Sequence, residues 1–337
     1  MKKILLTLAI TVICLLLLLS KNSHAQIDSI HYIPPMCSFS SHSSNVQDHR
    51  LVLTTSETTA FNVTIKNNDG TFSRTVSLSS SNPQKISLNY SAYTSSTNNT
   101  PASGLGSQGV IGATQLNNVL DIEGLIVSGP KKFFVSIQQK SGAQGDLLTS
   151  KGTTGLGTDF YSGHMYSSKG GYDQYNGHFI GVMATENNTN ITFDNPNVLF
   201  SGQTSNTFTL SLNKGQSAVI GVSVNDIKSQ QGSTKNLNVV NGTHIISNKP
   251  IAVNSGSWCA SGFASSNPGR DVGFDQLVPT EVVGKEYIVI KGEGYSGGAK
   301  DNERALIIAT EDNTKVYIKG NSSPSATLDK GEYYFTK

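Results

Sequence analysis

The segment Ala184-Thr185-Glu186-Asn187-Asn188-Thr189-Asn190-Ile191-Thr192-Phe193 returns as Ala309-Thr310-Glu311-Asp312-Asn313-Thr314-Lys315-Val316-Tyr317-Ile318, 125 residues further on. Upstream, Gly157-Thr158-Asp159-Phe160 is answered by Gly284-Lys285-Glu286-Tyr287 at a spacing of 127, and downstream Leu212-Asn213-Lys214-Gly215-Gln216 by Leu328-Asp329-Lys330-Gly331-Glu332. Solenoid repeats recur roughly every 20–50 residues, so a period this long is that of a domain. A fainter copy comes first. It comprises Leu51 to Thr59, Val63-Thr64-Ile65, and Gly124-Leu125-Ile126-Val127-Ser128, which answers Thr243-His244-Ile245-Ile246-Ser247. The chain is therefore expected to hold units at 26–156 (divergent) and 157–283, with a third beginning at 284 and truncated at 337 as part of something longer.

Inside a unit the hydrophobic period is two. Ile191-Thr192-Phe193, Phe208-Thr209-Leu210-Ser211-Leu212 and Val316-Tyr317-Ile318 alternate apolar and polar side chains, as strands with one face buried do. After the leader, no stretch keeps helical spacing over three turns. Asp69-Gly70 and Asn241-Gly242 are expected to be hairpin turns, because both residue types tolerate positive φ. Ser247-Asn248-Lys249 is expected to turn the chain, and Pro250 to open the next strand, where a missing N–H does least harm. The expected fold is all-β: tandem antiparallel β-sandwich units, with a propeller-like arrangement as the alternative.

Lys2 and Lys3 precede an apolar run from Ile4 to Leu19, and Ser23-His24-Ala25 supplies small residues at the −3 and −1 positions. That is the pattern of a secretory signal peptide over residues 1–25, cleaved before Gln26; the alternative is an uncleaved membrane anchor, for which the apolar run is slightly short. No membrane span is expected in the mature chain. Loss of Lys2, Lys3 and Lys21 turns a net charge of +2 into −1, which removes any basic field for nucleic acid or anionic lipid. Only 14% of residues are charged, and small polar side chains cover the surface instead, which suits an extracellular β protein. Cys14 leaves with the leader. Cys37 and Cys259 then form the mature chain's only pair, in a compartment that permits a disulfide between the first and second units.

Motifs that resemble catalytic or cofactor sites lack the context that such sites need. Gly292-Glu293-Gly294-Tyr295-Ser296-Gly297 spells a dinucleotide fingerprint after a strand-like run, but only Gly298 to Arg304 follow before the next apolar run. That is too short for the helix whose N–H groups hold the pyrophosphate. Gly104-Leu105-Gly106-Ser107-Gln108-Gly109 lacks that context as well. Gly294 to Gly298 also matches a nucleophile elbow, yet every histidine lies upstream of it, ending at His244. His31, His42 and His49 do not have metal-ligand spacing. Asp271 and Asp275 are too few for a calcium loop. His164 and His178, with Tyr166, Tyr172 and Tyr175, are a candidate sugar-stacking surface. Asn-X-Ser/Thr triplets begin at Asn62, Asn89, Asn98, Asn187, Asn190, Asn241 and Asn321, and carry glycan only in a cell that glycosylates asparagine. No catalytic residue, metal or cofactor is assigned.

One stretch carries a resemblance. Ile245-Ile246-Ser247-Asn248-Lys249-Pro250-Ile251-Ala252-Val253-Asn254-Ser255-Gly256, then Cys259, Phe274-Asp275-Gln276-Leu277-Val278-Pro279 and Gly284-Lys285-Glu286-Tyr287, resemble the N-terminal domain of the IgGFc-binding protein family. Bacterial secreted proteins also carry this domain. The Ala309 and Leu328 motifs complete the resemblance over about residues 157–337. The family pattern has Pro-Pro where Val278-Pro279 stands and an aromatic where Val283 stands. The resemblance implies a secreted or surface adhesion module without catalysis, taking an extracellular glycan or protein ligand. An extracellular carbohydrate-active enzyme and a passive spacer are the alternatives. Asn241, Gly242, Lys249, Pro250 and Trp258 are read as the scaffold's signature, and no residue is assigned to ligand contact.

Overall fold

The computed structural model describes residues 26–38, 48–88, 108–112, 115–141, 144–164, 166–167, 176–232, 236–261, 271–290 and 304–336. The leader, His42, Tyr172, Tyr175, Asn89, Asn98, Gly104 to Ser107 and the motifs of Gly292 to Gly298 lie outside them.

The first unit contains β1 (Asp28–Ile33), β2 (Met36–Ser38), β3 (Asp48–Thr54), β4 (Phe61–Lys66), β5 (Ser73–Leu78), β6 (Gln84–Ser87), β7 (Val110–Gly112), β8 (Val119–Leu120), β9 (Leu125–Ser141) and β10 (Gln144–Thr149). The second contains β11 (Gly157–Tyr161), β12 (Gly177–Ala184), β13 (Thr189–Asp194), β14 (Thr207–Leu212), β15 (Ser217–Ser223), α1 (Val224–Gln231), β16 (His244–Ser261) and β17 (Asp271–Gln276). Then come β18 (Leu306–Ile308), β19 (Thr314–Val316), β20 (Ala326–Leu328) and β21 (Tyr333–Phe335).

The two large sheets share one topology. The first runs β5-β4-β9-β3-β6, with β1 and β10 also on β9; the second runs β14-β13-β16-β12-β15, with β11 and β17 also on β16, and gains β8 from the first unit as an edge strand on β15. Each long strand changes both neighbours part-way along. The start of β16 pairs with β13 and β11, and its second half with β12 and β17. β9 does the same with β4 and β1, then β3 and β10. Each unit is thus a pair of antiparallel layers stitched together by one strand, with its apolar faces turned inward. The chain is all-β and sandwich-type. The first core draws Leu51, Val63, Val127 and Val135 from both layers, and the second draws Phe160, Val182, Ile191, Ile220, Ile245 and Val253.

The repeated motif owes its sequence to a hydrogen-bonded clasp that the structure builds twice. Asn188 and Asn313 both take left-handed backbone, at φ 54° and 55°, as do Gly215 and Gly331, at 80° and 82°. The Thr189 hydroxyl donates to the Glu186 carbonyl (2.8 Å) and that of Thr314 to Glu311 (2.6 Å). The Asn188 N–H donates to the Asn213 side chain (3.2 Å), and the Asn313 N–H to Asp329 (3.0 Å). The Lys214 N–H meets Asn187 (3.1 Å) and the Lys330 N–H meets Asp312 (3.0 Å). Register agrees as well: Thr189 faces Leu212 as Thr314 faces Leu328, and Gly181 faces Val219 as Leu306 faces Phe335.

Two local expectations are corrected. Asp69-Gly70 does lie in the β4–β5 connection, in a loop closed by the Asn67 N–H to Phe72 carbonyl bond (3.1 Å). Asn241-Gly242, however, follows α1 in a run of turns, with only Gly242 at positive φ (81°), so there is no hairpin here. The chain also does not turn at Ser247-Asn248-Lys249; β16 runs unbroken through Pro250. Pairing with β13 ends at Ser247 and pairing with β12 begins at Ile251, so the proline occupies the gap where the strand changes partner. Its missing N–H therefore costs no ladder bond. Pro130 occupies the corresponding gap in β9, between Ser128 and Phe134.

The units share apolar packing, as layers of one sandwich stack do, so the propeller-like alternative is not what forms. Phe179, Val219, Trp258, Val272 and Phe274 of the second unit join the first unit's core. Polar stitches reinforce the contact. The Gln276 amide donates to the Tyr32 carbonyl (2.8 Å) and its oxygen accepts from the Lys151 N–H (2.6 Å), while Asn254 donates to the Pro34 carbonyl (2.8 Å).

Candidate functional site

The residues read as a signature, and their neighbour Asn248, make contacts within the fold. The Asn248 side chain accepts from the Asn190 N–H (2.7 Å) and donates to the Asn188 carbonyl (3.3 Å), while the Lys249 ammonium donates to the Asn187 carbonyl. Asn248 and Lys249 therefore grip the clasp from the long strand. Trp258 is buried against Gly177 and Gly221, and a Cβ on Gly177 would stand 2.0 Å from the indole. Asn241 is buried, accepts from the His164 N–H (3.0 Å) and is not open to glycosylation in the folded chain. Gly242 lies so close to Gly331 that a Cβ would come 1.9 Å from its carbonyl oxygen, which packs the third unit onto the second.

Cys37 and Cys259 are both buried thiols, and no bridge joins them in this structure. Trp258, rather than Cys259, is the residue of this strand end that enters the core cluster holding Cys37. Burial pushes the Cys37 thiol far above its ordinary range.

His164 and His178 are not a surface. Their rings stack with centroids 4.2 Å apart, both side chains are buried, and burial holds His178 well below the usual imidazole range. Tyr166 is engaged by the edge of Phe335 (5.1 Å) and the Arg304 guanidinium (5.3 Å). Asp271 and Asp275 serve the junction between units. Asp271 accepts from the Gly145 N–H (3.0 Å), and Asp275 pairs with Lys151 (3.2 Å). Among the described residues no group of three or more metal-ligating side chains converges.

The described residues do form a cleft, of about 470 Å³, lined by Asn197, Gln230, Gln231, Asn236, Val239 and Tyr333. It lies where the end of α1 and the turns after it meet β21. Ser223 caps α1 by accepting from the Asp226 N–H (2.9 Å), and Val224 and Ile227 anchor the helix in the second core. This delivers Gln230 and Gln231 to the rim. Gln230 makes a two-way amide pair with Leu199 (2.7 and 2.9 Å), and Gln231 donates to the Asn197 carbonyl (2.5 Å). Asn236 donates to the Tyr333 hydroxyl, bridging the second and third units. Burial raises the Tyr333 phenol, so it remains an un-ionised donor and acceptor at neutral pH.

Among the described residues no charged side chain lines this cleft. Carboxamides and a phenol around one valine suit a neutral ligand rich in hydroxyl or amide groups. The sequence reading missed the site because its residues come from four separated segments with no shared motif. The one local hint is the run Ser229-Gln230-Gln231 at a helix end.

The family profile described as IgGFc binding protein matches residues 146–337. No curated protein and no solved structure matches the chain.

Proposed function

The chain belongs to the IgGFc binding protein family, and on that premise we propose that it is a non-catalytic adhesion module of the cell exterior that takes a protein or glycan ligand. The leader-like N-terminus and the sparsely charged surface support a place outside the cell. The observation that carries the reading is the cleft that carboxamides and a phenol line among the described residues. Recognition there runs through neutral hydrogen bonds, and several weak contacts gain strength when modules are arrayed.

The test is direct binding of the folded chain to immobilised antibody Fc, matrix proteins and neutral oligosaccharides. Binding is expected to survive a rise in salt from about 0.05 to about 0.5 M, because the described residues that line the cleft carry no charge. It is expected to fall at least about tenfold in Gln231→Ala and Tyr333→Ala, the loss of one or two well-placed hydrogen bonds. Absence of binding to every class, or binding unaffected by both substitutions, refutes the assignment.

A further inference from the structure

The cleft is shared between two bodies. Its described lining comes from the second unit, except for Tyr333, which β21 supplies. The β18–β21 segment has a small core of its own, in which Ala309, Val316 and Leu328 are buried, separate from the two large cores. Its hold on the second unit is therefore a matter of contacts at its surface rather than of a common interior.

Those contacts are few and identifiable. Gly242 meets the Gly331 carbonyl with no room for a Cβ, and a Cβ on Gly163 would stand 2.6 Å from the Ile308 Cδ1. The Lys330 ammonium lies 5.9 Å from the centre of the Tyr161 ring, and Tyr166 meets the edge of Phe335 and the Arg304 guanidinium. The bond from Asn236 to the Tyr333 hydroxyl is the contact of this set that also lines the cleft. Small interfaces between packed units leave relative motion as the ordinary state, so one added bridge shifts the docking equilibrium.

Resting on the reading of the cleft as the ligand site, we propose that the ligand clamps β18–β21 onto the second unit. A ligand seated between Gln231 and Tyr333 touches both bodies and finds its full set of partners only when they are docked. Linkage then makes the effect reciprocal: docking raises ligand affinity by the same factor by which the ligand favours docking.

Tryptic cleavage after Lys330 reads the docking, because that peptide bond adjoins the contact between Gly331 and Gly242. The 337-residue chain is digested alone and with antibody Fc, collagen or chitohexaose, one probe for each ligand class. A probe that binds is expected to slow this cleavage at least about fivefold. Gly242→Ala and Tyr166→Ala lie outside the cleft's lining. Each is expected to speed the cleavage and to weaken binding of the same probe by a similar factor, with hydrogen exchange in β12 and β16 unchanged. Without any probe, Asn236→Ala is expected to speed the cleavage as well, and an unchanged rate there overturns the proposal. A probe that binds without slowing cleavage, or a faster-cleaved variant that binds as tightly as the parent chain, overturns the clamp and leaves the cleft as a ligand site. Binding of none of the three probes by the parent chain removes both readings.

Discussion

Glu123 offers a quantitative test of the packing between the end of the first unit and its core. Glu123 is 1% exposed; one carboxylate oxygen accepts from the Gly109 N–H at 3.3 Å, and the other is buried with no hydrogen-bond partner among the described residues. Burial, only partly offset by that bond, raises its pKa from 4.5 to about 7. A folded-state value above the unfolded one means that the native state holds the proton more tightly. The associated stability is complete below pH 4.5, declines between 4.5 and about 7, and is gone above. At roughly 1.4 kcal/mol for each pH unit, that interval amounts to about 3 kcal/mol. Glu123→Gln keeps the shape and carries no charge at any pH. Urea unfolding, followed by the fluorescence of Trp258, the chain's only tryptophan, should give similar stability for both proteins near pH 4.5. The variant should lead by about 2–3 kcal/mol at pH 8. Every other titrating group cancels in the difference, so a difference that stays constant between pH 4.5 and 8 refutes the reasoning.

Asn248→Ala removes two bonds to the clasp and should destabilise the chain by about 1–3 kcal/mol in the same assay. Pro250→Ala should cost less than about 1 kcal/mol, because the proline's place in the ladder needs no N–H, and a larger loss measured in urea means the gap is misread. Gly242→Ala meets both a left-handed backbone and the Gly331 carbonyl, and should detach the third unit, seen as new proteolytic cleavage between residues 284 and 336. His178 is held neutral by burial, so its share of stability is present above the unfolded imidazole value and lost as pH falls below it. His178→Gln should flatten the acid limb of the stability profile below about pH 6.5. Cys37 and Cys259 should resist alkylation until urea unfolds the chain, and a mass 2 Da lower without reductant would show a bridge instead.

The sequence and the structure agree best where a residue acts through its neighbours in the chain. The Ala184 and Ala309 motifs were readable as a repeat because each clasp is closed by local turns, left-handed Asn and Gly positions and short-range hydrogen bonds. The strand period was readable for the same reason. Reading failed where the partner is remote. Asn241-Gly242 has hairpin chemistry, but the strand expected before it is absent: α1 and a run of turns occupy that place. Lys249-Pro250 looks like a break until β13 and β12 are seen to trade places on either side of it. His164 and His178, polar in isolation, are stacked in the interior because the second unit closes over them.

The sequence alone determined that this is an all-β chain in which motifs recur, because backbone conformation and hydrophobic alternation are local properties written at a period of two and at spacings of 125 and 127. Tertiary structure alone decided that each of the two large sheets is stitched by a single long strand, that Trp258 packs into the first unit's core, and that Gln231, Asn236 and Tyr333 meet in a cleft. Those outcomes depend on which distant surfaces exclude water from one another, and that information is carried by the whole chain at once rather than by any short segment of it.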